Sequence, residues 1–81
     1  EAQRLADQEM AKAREEAERI KGIAYAEADK LVEQAGNPLA KFAAQKLAEK
    51  LKREADKKVE KILQDAQDRA NEKIEKAKSL E

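Results

Sequence analysis

The 81-residue sequence contains no Cys, His, Trp or Thr, and its one Ser is Ser79. Without Cys there is neither a disulfide framework nor a thiolate metal site. Without His, nothing in the usual catalytic repertoire is placed to activate the Ser79 hydroxyl, which lies at the frayed end of a helical pattern. Tyr25 and Phe42 are the two aromatic residues, too few for a stacking platform for nucleic-acid bases. Charge of one sign is not in excess either. With 18 basic and 18 acidic residues, no strong overall field draws in nucleic acid or an acidic membrane. No apolar run approaches the roughly 20 residues needed to span a bilayer. One Pro and two Gly leave few places for the chain to break.

What remains is helix-forming material. Charged residues make up 44% of the chain and hydrophobic ones 41%. Of those 33 hydrophobic residues 17 are Ala, so 16 larger apolar side chains are left to build a core. Two stretches, 1–35 and 38–80, are dense in Ala, Glu, Lys, Gln, Arg and Leu, all good helix formers. Between them stands Ala35-Gly36-Asn37-Pro38. Gly36 suits the left-handed conformation that closes a helix. Asn37 suits the N-cap of the next, and Pro38 its first position. The pattern predicts one all-α domain: helix 1–35, a turn at Gly36, Asn37 and Pro38, and helix 38–80, folded back as an antiparallel hairpin. A kinked continuous rod is the alternative.

The apolar stripes can be counted. At 100° per residue, one narrow arc of the first helix collects Ala2, Ala6, Met10, Ala13, Ala17, Ile20, Ala24, Ala28, Leu31 and Ala35. The repeat beneath it is eleven residues: Ala2, Ala13, Ala24 and Ala35 form one column, Ala6, Ala17 and Ala28 a second, and Ile20 and Leu31 begin a third. The second helix repeats the pattern with Ala44, Ala55, Ala66 and Ala77, then Ala48, Val59 and Ala70, then Ala40, Leu51 and Ile62. That last column breaks at Lys73, so the far end of the second helix is expected to be looser. Eleven residues over three turns give a nearly straight, coiled-coil-like pairing. The predicted helix–helix interface is therefore Ala13, Ala17, Ile20, Ala24, Ala28 and Leu31 against Ala44, Leu51, Ala55, Val59, Ile62 and Ala66. In this register residues near 31 meet those near 43, and residues near 13 meet those near 62.

Charge supports the same pairing. Residues 1–35 hold 6 basic and 9 acidic groups, a net of −3, and residues 36–81 hold 12 and 9, a net of +3. Within the second helix Glu49–Arg53, Glu54–Lys58, Asp65–Arg69 and Glu72–Lys76 stand in the favourable i,i+4 order. Leu5, Ile23, Tyr25, Val32, Leu63 and Ile74 fall beside the stripes with no third layer to cover them. Small domains are commonly stabilised by oligomerisation, so a homodimer forming a four-helix bundle is the expected assembly, with these flanks in the second interface.

No active site is legible. Carboxylates avoid both stripes, which excludes a buried acid pair. Glu15, Glu16 and Glu18 point in different directions from one helix and read as a solvated face rather than a cation site. No cofactor and no metal are expected. Residues 41–61 carry 8 basic and 4 acidic groups, which balance the acidic first helix better than they suit a phosphate backbone. Gly22, nearly opposite the stripe, reads as tolerated or as admitting a close neighbour beside Ala11 and Ala26. The partner implied is protein: a second copy, or the rest of a parent chain. Glu1 opens directly into a charged helical pattern, with no signal peptide visible. The Leu80-Glu81 end has the form of a cloning scar, consistent with a piece of a longer protein. The alternative function is reversible binding of a membrane surface by an amphipathic helix, since Lys and Arg rim the second stripe. The high Ala content of that stripe weighs against it.

Two resemblances follow from particular segments. The run Glu54-Ala55-Asp56-Lys57-Lys58-Val59-Glu60-Lys61-Ile62-Leu63 and the eleven-residue repeats resemble peripheral-stalk helices of rotary ATPases. The segment from Ala35 to Lys46, with the charged helix after it, resembles the helical tails of AsmA-like bacterial cell-envelope proteins. The latter implies an appendage of an envelope protein, hence a cell-envelope location rather than a cytoplasmic one, with no catalytic residues to carry over. Desiccation-protective eleven-mers share the composition but not the turn or the large residues Ile20, Leu31, Leu51 and Ile62. The function expected is that of a structural or interaction module: spacer, stalk or assembly domain.

Overall fold

A computed structural model describes residues 1–80. It is an all-α hairpin of two helices, α1 (Ala2–Gln34) and α2 (Pro38–Ser79). Ion pairs join Glu9 to Lys73 far from the turn and Asp29 to Lys52 near it, so the helices run antiparallel. The fold is long and thin, with extents of 66 × 14 × 7 Å along its principal axes. Among the described residues no helix is long and apolar enough to cross a membrane.

The start of α2 follows from its sequence. Asn37 is extended, at φ −150° and ψ 166°, and its side-chain oxygen accepts a hydrogen bond from the Ala40 N–H at 2.8 Å. Pro38 occupies the first turn, where its missing N–H costs no helical bond. The end of α1 differs from the expectation. Among the described residues none has a positive φ, Gly36 included. Instead Ala35 turns extended, at φ −69° and ψ 122°, with its N–H donated to the Val32 carbonyl at 3.3 Å. An extended residue leads the chain straight into the extended Asn37 cap, so no left-handed residue is needed.

Both stripes face the interface. Among the described residues the eight buried ones are all Ala: Ala6, Ala13, Ala17 and Ala28 on α1, Ala48, Ala55, Ala66 and Ala70 on α2. The larger members, Met10, Ile20, Leu31, Leu51, Val59 and Ile62, are half-buried, as are Ala24 and Ala44. Methyl side chains let the backbones approach closely, and that closeness pushes longer side chains to the rims of the seam. Among the described residues no large side chain is fully buried. Val32 and Gln45 line one shared groove, and Met10, Arg14 and Gln67 another.

The i,i+4 lacing of α2 is largely replaced. Of the four expected pairs only Glu49–Arg53 is formed, at 3.9 Å. Arg69 turns away from Asp65 to reach Glu9 on α1. A partner across the seam fixes the two helices relative to each other, which a pair within one helix does not.

Candidate functional site: two interhelical clasps and an open flank

The first clasp lies near the termini. Lys73 Nζ donates to Glu9 Oε1 at 2.8 Å, and Arg69 Nε donates to Glu9 Oε2 at 3.2 Å. Glu9 is half-buried and Lys73 likewise, so the break in the Ala40–Leu51–Ile62 column is occupied by a two-donor ion pair. The Lys73 ammonium first, then the Arg69 guanidinium, hold the Glu9 carboxyl below its ordinary pKa of 4.5, against a smaller opposing effect of burial.

A second clasp sits midway along the rod, on the opposite side of the seam. Lys21, Tyr25 and Asp29 are successive i,i+4 neighbours on α1, and Lys52 and Asp56 are such neighbours on α2. The Tyr25 hydroxyl donates to Asp56, at 3.0 Å to Oδ1 and 3.2 Å to Oδ2. Lys21 Nζ lies 3.8 Å from Asp56 Oδ1, and Lys52 Nζ lies 3.4 Å from Asp29 Oδ1. Both ammonium groups also approach the Tyr25 ring, at 5.6 and 5.2 Å from its centroid, within cation–π range. Each helix reads Lys before Asp, so only the antiparallel orientation sets opposite charges face to face. The hydrogen bond to Asp56 raises the Tyr25 phenol above its ordinary 10.0, with burial and the carboxylate charge acting in the same direction.

These groups join one helix to the other at two levels. A phenol made less acidic is a poorer proton donor. Among the described residues no three acidic side chains converge as a cation site, and Glu15 and Glu16 share their shallow groove with Lys12 and Arg19.

The exposed apolar side chains define the surface left open. Leu5, Ile23 and Leu47 are exposed beside the seam, while Leu39 and Phe42 are exposed at the tip, 80% and 58% respectively. Of the flank residues singled out in the sequence, Leu5 and Ile23 stay uncovered, whereas Tyr25, Val32, Leu63 and Ile74 are half-buried. Gly22 is exposed, and a Cβ placed there would meet nothing within 4 Å, so no neighbour packs against it within the hairpin.

Sequence reasoning missed Glu9, and the signal was present. Stepping eleven residues back from Ile20 reaches Glu9, as stepping eleven forward from Ile62 reaches Lys73. The two charged departures from otherwise apolar columns are each other's partners. No protein-family model, curated protein or solved structure matches the chain.

Proposed function

We propose that the chain is a structural and protein-interaction module, a thin rod serving as spacer, stalk or assembly domain. The observation that carries this reading is the continuity of two helices of 33 and 42 residues, paired along a 66 Å axis by Ala and fixed by clasps at two levels. Glu9 and Tyr25, whose proton affinities are shifted, both join helix to helix. If the likeness to AsmA-like tails holds, the rod is an appendage of a cell-envelope protein.

Spin labels at Gln3→Cys and Gly36→Cys test the rod. The chain has no other Cys, and 33 residues of helix at 1.5 Å each set the labels about 50 Å apart. A narrow distribution near that distance supports a spacer; a broad one centred well below it removes the premise.

The second reading, reversible binding to a membrane surface, is favoured by the tip. Leu39 and Phe42 are exposed there beside Lys41 and Lys46, and no acidic residue lies between Glu33 and Glu49. Such a patch suits shallow insertion among anionic headgroups. Co-sedimentation with anionic vesicles at physiological salt, lost on substituting both Leu39 and Phe42 by Ser, would rank this reading first.

A further inference from the structure

We propose that the outward face of α2, running from Leu39 and Phe42 down to Lys61, lies on an anionic lipid surface with its apolar end inserted. This deepens the membrane reading, which uses the tip alone, and rests on it.

The outward face carries a basic ladder. Eleven-residue steps from Leu39 lead to Lys50 and Lys61, the step from Phe42 leads to Arg53, and the step from Lys46 leads to Lys57. At the 3.67 residues per turn of this repeat the three columns are neighbours, spanning about 65° of the helix. Between Leu39 and Lys61 they hold five basic residues and no acidic one, and every side chain in them is exposed. The ladder runs for about 33 Å at 1.5 Å per residue. Glu49 and Glu60 stand in the next column on one side and Glu54 in the next on the other, so the acids flank the face rather than interrupt it.

These cations are not used by the hairpin. The ladder points away from α1, whereas Lys52, Arg69 and Lys73 reach across the seam and are paired there. Among the described residues Lys46, Lys50, Lys57 and Lys61 take part in no ion pair, and Arg53 has a 3.9 Å contact with Glu49. Lys46 Nζ lies 5.2 Å from the centre of the Phe42 ring.

The head of the ladder is apolar and unsupported. Val32 and Glu33, in the last turn of α1, share a groove with Gln45, Ala48 and Glu49, while residues 35–37 run beside Lys41, Phe42 and Gln45. The first two turns of α2 therefore project past the end of α1. They carry Leu39 and Phe42, 80% and 58% exposed, in the columns that continue as Lys50, Lys61 and Arg53. Cations level with headgroup phosphates and apolar side chains at the acyl boundary are what an anionic bilayer accommodates. The phosphates of a nucleic acid would meet the ladder but leave Leu39 and Phe42 in water.

Co-sedimentation with phosphatidylcholine vesicles, with and without about 30% phosphatidylserine, tests the face. Binding is expected to the anionic vesicles alone and to fall as salt rises. Lys50→Gln, Lys57→Gln and Lys61→Gln together should weaken it at least about tenfold. Lys12→Gln, Arg14→Gln and Arg19→Gln, on α1, remove the same charge and should change it less than about twofold. All six positions are exposed, so helicity by circular dichroism should be unchanged. Leu39→Ser with Phe42→Ser should also release the vesicles. No binding to anionic vesicles at low salt overturns both the proposal and the membrane reading. Binding lost with the tip pair but indifferent to the ladder variant overturns the ladder and leaves the membrane reading standing. Equal losses in the ladder and α1 variants trace binding to net charge and overturn the assignment to this face. Tighter binding to a DNA duplex, lost with the ladder but not with the tip pair, overturns the lipid as its occupant.

Discussion

Glu9 and Lys73, 64 positions apart in sequence, occupy corresponding steps of two eleven-residue columns and meet across the seam at 2.8 Å. Because the helices are antiparallel, an eleven-residue step forward on α1 is matched by one backward on α2. From Glu9 and Lys73 such steps reach Ile20 and Ile62, then Leu31 and Leu51. The ion pair thus stands in the same columns as the large apolar residues Ile20, Leu31, Leu51 and Ile62.

The pH dependence of stability should carry the mark of Glu9. Its folded pKa lies below the ordinary 4.5, so its contribution is complete above about pH 4.5 and is lost as pH falls toward the lowered folded value. Glu9→Gln should therefore melt below the parent chain at pH 7, with the gap closing at pH 3. Circular dichroism melts at both pH values check this; an equal gap at both would mean that the pair adds no charge-dependent stability.

Tyr25 offers a direct spectroscopic readout, being the only Tyr in a chain without Trp. Its tyrosinate absorbance should titrate with a midpoint above 10.0. Asp56→Ala removes both the acceptor and the repelling carboxylate and should lower the midpoint toward the ordinary value, leaving only the effect of burial. Since the folded pKa is raised, the stabilisation from this clasp is intact at neutral pH and disappears as pH rises through the folded midpoint. A parent chain that titrates like free tyrosine would show the clasp open in solution.

The turn separates two kinds of glycine argument. With no positive φ at Gly36 and open space where a Cβ would stand, Gly36→Ala should be neutral or stabilise by about 0.4–1 kcal/mol, by restricting the unfolded chain. Gly22→Ala, mid-helix and equally unobstructed, should stabilise by about 0.8–1 kcal/mol. Asn37→Ala removes the acceptor for Ala40 and should cost about 1 kcal/mol. Urea titrations of the three variants check the signs; a clear loss at Gly36→Ala would show that the turn uses a left-handed residue.

The seam and the turn position were legible because both are local or periodic properties. A ten-residue stripe at helical spacing leaves one face to bury, and Asn-Pro marks a helix start whatever lies across from it. The end of α1 was less legible, since glycine permits both left-handed and extended backbones and only the path into Asn37 decides between them. Partners of long charged side chains were hardest. Arg69 had an acceptor at Asp65 in its own helix, and the choice of Glu9 depends on a register set by side chains elsewhere. Tyr25 read as apolar flank because its hydroxyl partner lies 31 residues away.

The eleven-residue period itself can be tested by shortening the rod. Deleting residues 10–20 from α1 and 58–68 from α2 together removes one repeat from each helix at matching levels. Glu9, Lys73 and Arg69 remain on one side of the cut, and Lys21, Tyr25, Asp29, Lys52 and Asp56 on the other, so both clasps survive. Every remaining column stays in line, because eleven residues return the helix to nearly the same face. The shortened chain should fold as a helical hairpin about 16 Å shorter, at 1.5 Å per residue removed. Deleting 10–20 alone shifts Glu9 eleven residues away from Lys73 and leaves α2 with an unpaired stripe, so it should lose cooperative melting. Deleting 10–16 and 58–64 is a smaller cut, yet at the 3.67 residues per turn of an eleven-residue repeat seven residues rotate the far segment by about 33° relative to the near one, and eleven by none, so the smaller cut sets the two clasps out of phase. Melting temperatures ranked parent, paired eleven, paired seven, single eleven are expected from circular dichroism. If the paired seven-residue deletion is the more stable of the two, the seam follows a heptad supercoil, and the column register drawn from Glu9 and Lys73 is wrong.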